Sequence, residues 1–82
     1  MKIQFSIPQN GYKPELTHAR ETGTFNDWVE AKYVPWISEA ISTDFVIVTI
    51  SDNKELSGFI VDFVYEDDGR DFLAKLGGRV VE

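Results

Sequence analysis

Two strongly β-forming runs, close together in the chain, constrain this sequence more than anything else in it. Phe45-Val46-Ile47-Val48-Thr49-Ile50 is almost wholly β-branched or aromatic, and Phe59-Ile60-Val61-Asp62-Phe63-Val64-Tyr65 follows closely. Such residues fit a pleated, half-buried surface. The stretch between them, from Ser51 to Gly58 with Asp52-Asn53 in it, is of hairpin length. The two runs are therefore expected to be adjacent antiparallel strands.

The remaining elements are arranged around that pair. Ile3, Phe5 and Ile7 alternate with Lys2, Gln4 and Ser6, the period of a half-buried strand, closed by Pro8. Residues 8–23 show no clear period and hold Pro8, Asn10-Gly11, Pro14 and Gly23, so they read as a long loop with room for one helical turn from Glu15 to Arg20. Thr24 with Asp27 three residues on suggests a capping box. Phe25, Trp28, Val29, Trp36, Ile37, Ala40 and Ile41 then recur at helical spacing. Pro35 is expected to kink that helix or split it, because it lacks a donor and clashes with the carbonyl of Ala31. Asp67 or Asp68 should cap a second, short helix carrying Phe72, Leu73 and Leu76, which Gly77 ends in a left-handed cap. Residues 79–81 suffice for a brief last strand.

This order implies an α+β fold, a βαββαβ ferredoxin-like two-layer sandwich in one domain over residues 1–82, with two helices on one face of an antiparallel sheet. An α+β meander lacking the last strand is the alternative. Phe5, Val61, Phe63 and Leu73 are expected in the core. A chain of 82 residues buries only about 60–65% of its unfolded surface, and without cysteine no disulfide assists it.

Charge narrows the partners. Lys and Arg total 8 against 14 Asp and Glu, a net charge of −6 with the cations scattered. Such a surface repels phosphate backbones and anionic membranes, so neither nucleic acid nor membrane is expected as a partner. The N-terminus alternates instead of forming an apolar export core, which favours the cytoplasm, and no apolar run approaches spanning length.

No residue set carries catalytic chemistry. His18 is the only histidine and has no comparable ligand or nucleophile at helical spacing. The run Glu66-Asp67-Asp68-Gly69-Arg70-Asp71 lacks the alternating oxygen donors of a calcium loop, and its acids suit the start of a helix. There is no nucleophile elbow and no phosphate loop. No catalytic residue, metal site or cofactor is therefore expected.

A partner surface is another matter. If Asp62 faces away from the helices, alternation puts Ile60 and Val64 beside it. Taking Thr49 as outward brings Phe45 and Ile47 out as well. Phe45, Ile47, Ile60 and Val64 would then form an apolar patch for another protein or for a second copy in a homodimer, unless residues 8–23 fold over it with Tyr12 and Leu16. Trp28 is expected in the core. Trp36, turned by Pro35, is a further candidate anchor.

Residues 58–78, an aromatic-rich strand running into an acidic pair and a short helix with Phe72 and Lys75-Leu76-Gly77-Gly78, resemble a tail common in small uncharacterised proteins of tailed bacteriophages. Gly69, where such tails usually carry Ala, and the long stretch 8–23 depart from that pattern. The resemblance implies a phage-encoded accessory or host-directed role, such as inhibition of a host enzyme, and carries over no catalytic residue. A protein-binding module ranks first, ahead of a virion or self-assembling protein, an acidic nucleic-acid mimic and a small enzyme.

Overall fold

The computed structural model describes residues 1–52 and 57–81. It is an α+β structure with a four-stranded antiparallel sheet and three helices. In chain order these are β1 (Lys2–Ser6), α1 (Gln9–Thr22), α2 (Phe25–Ala40), β2 (Phe45–Asp52), β3 (Ser57–Phe63), α3 (Glu66–Lys75) and β4 (Arg79–Val80). The strands lie in the order β2-β3-β1-β4. The two β-rich runs pair as expected, Phe45 opposite Phe63 and Ile50 opposite Phe59. The brief last strand forms as well, Val80 opposite Ile3.

Residues 8–23 are not a loop. They fold as α1, so the first crossover contains two helices and the described residues form three in all. Tyr12, Leu16 and Ala19 stand at i, i+4 and i+7; Leu16 and Ala19 are buried and Tyr12 packs on the core. That short apolar stripe outweighs Pro14, which lacks the donor that would reach back one turn. Gly23, in the left-handed conformation (φ 71°), ends the helix, and the Thr24 amide closes back on the Ala19 carbonyl at 2.8 Å.

α2 runs unbroken through Pro35. Ala31 and Pro35 both lie on its exposed side, so the carbonyl that Pro35 leaves without an amide faces water. The expected capping box is not made: Thr24 makes no side-chain cap bond, and its hydroxyl instead meets that of Thr22 at 2.8 Å. α3 likewise starts earlier than expected, with Tyr65 before it; Glu66, Asp67 and Asp68 fill its first turn, where they complement the helix dipole. Gly77, with φ 92°, follows its end as expected.

One core lies between the helices and one face of the sheet. Ile3, Phe5, Phe59, Val61 and Phe63 project from the sheet into Leu16 of α1, Phe25, Val29, Tyr33 and Ile37 of α2, and Phe72 of α3. Phe72 fills the centre, with its ring 5.7 Å from that of Phe5 and 5.6 Å from that of Phe63. Leu73, expected there, is only half-buried. No helix among the described residues is long and apolar enough to cross a membrane.

Candidate functional site

The outer face of the sheet differs from expectation at one strand. Phe45 and Ile47 pair with Phe63 and Val61 and point with them towards the helices, where they pack on the core. They do not join the outer patch. The reason is a β-bulge: the register shifts between Ile47 and Thr49, leaving Val48 as an extra residue. Thr49 does face outward, opposite Ile60, but alternation cannot be carried back through a bulge. The residues exposed in place of Phe45 and Ile47 are Val46 (60%) and Val48 (50%). With half-buried Ile60 and with Val64 (70% exposed, just past β3), they make an apolar strip along the β2 side.

Tyr12 and Leu16 do not cover this strip, because α1 packs them on the helix side. Acids border it. Asp62 is the cross-strand neighbour of Val46 and lies 3.4 Å from the N-terminal ammonium. The Asp44 carbonyl accepts the Val64 amide at 3.0 Å. Glu30 of α2 lines the groove that also holds Val46. Towards β1 and β4 the face turns polar, with Lys2, Gln4 and Ser6, and with Arg79 donating to Gln4 Oε1 at 3.1 and 3.0 Å.

Trp36 stands apart from that strip. It is 37% exposed and lines a cavity of about 220 Å³ where β1, α1 and α2 meet the end of α3. Phe5, Tyr33 and Leu76 form its other apolar walls, and Tyr12 and Lys32 stand at its side. Trp28, expected in the core, is half-buried at its edge, edge-on to Tyr12 with centroids 5.8 Å apart. Lys32 Nζ lies 4.2 Å from the Tyr12 ring centroid and 5.8 Å from that of Trp28, a double cation–π contact. Burial pushes the Tyr33 hydroxyl up to about 12, with neighbouring Tyr12 adding to the effect.

A second cavity shares Phe5, Pro8 and Leu76 with the first and continues to Gln4, Ser6 and Arg79, so the two form one cleft. Sequence reasoning missed it because its walls come from five elements. The legible trace is Trp28, Lys32 and Trp36 at i, i+4 and i+8, a stripe beside the buried face of α2.

The remaining polar residues among those described carry no comparable arrangement. Asp52 accepts from Arg20 Nε at 2.7 Å and from Ser57 Oγ at 2.8 Å, which ties the base of the β2–β3 pair to α1. The Arg20 hydrogen bond foremost holds the Asp52 carboxyl below its usual range. Of the acids in α3, Glu66 pairs with Arg70 and Asp71 with Lys75, each one turn apart. Among the described residues no group of three or more acids or histidines is placed to hold a metal ion.

No family model, curated protein or solved structure matches this chain.

Proposed function

We propose that the protein is a non-catalytic binding module that docks a basic protein through Val46, Val48, Ile60 and Val64. The observation that carries this reading is the bulge in β2, which leaves two valines exposed on a strand at the edge of the sheet. Edge strands and exposed apolar strips are liabilities that persist where they serve association. Asp44 and Glu30 beside the strip favour a partner with cations at its rim. A second copy is disfavoured by the same charges, since each chain carries −6.

The proposal extends to the fold type and to origin. Strand order β2-β3-β1-β4, with a helical crossover before β2 and another before β4, suits a ferredoxin-like βαββαβ unit in which α1 is an addition. What supports a phage-encoded, host-directed role is the resemblance of residues 58–78 alone.

The test is site-specific photocrosslinking in cells, with the probe placed at Val48, at Ile60 and, as a control on α1, at Glu15. The expected result is one discrete adduct from positions 48 and 60 and none from 15. It should be with a protein of net positive charge, and reconstituted binding should weaken as salt rises. An adduct of the chain with itself, or no discrete adduct, overturns the proposal.

A further inference from the structure

The cleft around Lys32 has a charge opposite to that of the molecule. The chain carries 14 acids, yet none of the described ones lines either cavity, and the two charged groups that do are Lys32 and Arg79. Lys32 is exposed, and its contacts are with rings; no described carboxylate pairs with it. Tyr33 adds a second signal. It is 6% exposed and lines the cavity, and its hydroxyl bonds to no described residue. No buried polar side-chain atom among the described residues lacks a partner, so this hydroxyl opens onto the cleft, where it can donate to whatever fills it. Aromatic walls, one cation and one free donor are the ingredients of a small-ligand site with an orienting polar end.

We infer that this cleft binds a small aromatic carboxylate, its ring against Phe5, Tyr33 and Trp36 and its anionic head beside the Lys32 ammonium. Size agrees: about 220 Å³ lies below the ~300 Å³ where drug-sized pockets begin, which suits one or two fused rings. Charge makes the inference specific. At net −6 the protein as a whole repels anions, so any preference for one must arise locally. Arg79 lies in the adjoining cavity and is already engaged by Gln4, which leaves Lys32 as the group that meets the carboxylate.

The probe is 2-naphthoate, compared with neutral 2-naphthalenemethanol, titrated by tryptophan fluorescence and by amide chemical shifts. Naphthoate should bind at least about tenfold tighter than the alcohol, the value of one charge-assisted contact, and should move the signals of Tyr12, Lys32, Tyr33 and Trp36. Lys32→Gln should remove that preference while lowering the melting temperature by only the few degrees that an exposed cation–π contact is worth, and Lys32→Arg should retain it. Arg79→Gln should leave it unchanged. The inference is overturned if naphthoate does not bind, if the alcohol binds as tightly, or if Lys32→Gln keeps the wild-type preference. Loss of binding on Arg79→Gln alone also overturns it, because the carboxylate would then lie in the adjoining cavity.

Discussion

At Gly58 the chain has no room for a side chain. It sits within β3 opposite Ser6, and a Cβ there would overlap the carbonyl oxygen of Phe5. The requirement is space and not backbone conformation, since Gly58 does not adopt a positive φ. Gly69 is a milder case: a Cβ there would meet the flexible side chain of Met1. Gly58→Ala should therefore push β1 from β3 and cost about 1–3 kcal/mol or more, as overpacking does. Urea denaturation measures this as a lower midpoint with unchanged slope. An unchanged midpoint would mean that the two strands are not held as closely as described. In the sequence this glycine reads as part of the turn, and nothing local distinguishes a glycine needed for a bend from one needed for a close approach.

Among the elements, β2 and α1 show what local pattern conveys and where it stops. The strands and their inward residues were legible because alternation is direct: Ile3 and Phe5, and Phe59, Val61 and Phe63, all enter the core as the period demands. β2 defeated the same reasoning because every residue from Phe45 to Ile50 but Thr49 is apolar, so only register, and not composition, reveals the extra residue at Val48. The outer patch was therefore half legible, with Ile60 and Val64 found and Val46 and Val48 missed. α1 was obscured by Gly11 and Pro14, while its stripe of Tyr12, Leu16 and Ala19 is too narrow to stand out. Its attachment gives a prediction. Asp52 links Arg20 of α1 to Ser57 of β3, and the Arg20 hydrogen bond lowers its pKa on folding. A carboxyl lowered on folding stabilises above its unfolded value, about 3.9, and that contribution is lost as pH falls below this towards the folded value. Asp52→Asn should cost about 1 kcal/mol or less at neutral pH, the pair being partly solvated. The difference from wild type in urea unfolding should shrink below about pH 4. A difference that persists undiminished in strong acid would exclude the ion pair as its source.

For the molecule as a whole, stability is concentrated in one aromatic cluster, so a single buried phenol reports on global unfolding. Tyr33 touches Phe5 at 5.6 Å and Phe59 at 5.0 Å between centroids; Phe5 and Phe59 meet Phe72, which meets Phe63 in turn. Burial raises the Tyr33 pKa from 10.0 to about 12. A group raised on folding contributes stability that is whole below its unfolded pKa and is lost as pH climbs through the folded value. The window is therefore about pH 10 to 12. The loss across it is at most about 2–3 kcal/mol, less to the extent that the hydroxyl meets the cleft and is partly solvated. In a domain of this size that is a large fraction of the whole. Absorbance titration of phenolate should show Tyr33 ionising only towards about pH 12, and that ionisation should coincide with loss of the near-ultraviolet circular dichroism of the folded core. Tyr33→Phe keeps the ring contacts and removes the ionisable group, so it should flatten the alkaline fall in stability. Were Tyr33 to ionise near the ordinary value of 10.0 while the core stayed folded, its ring would not be packed against Phe5 and Phe59 as described.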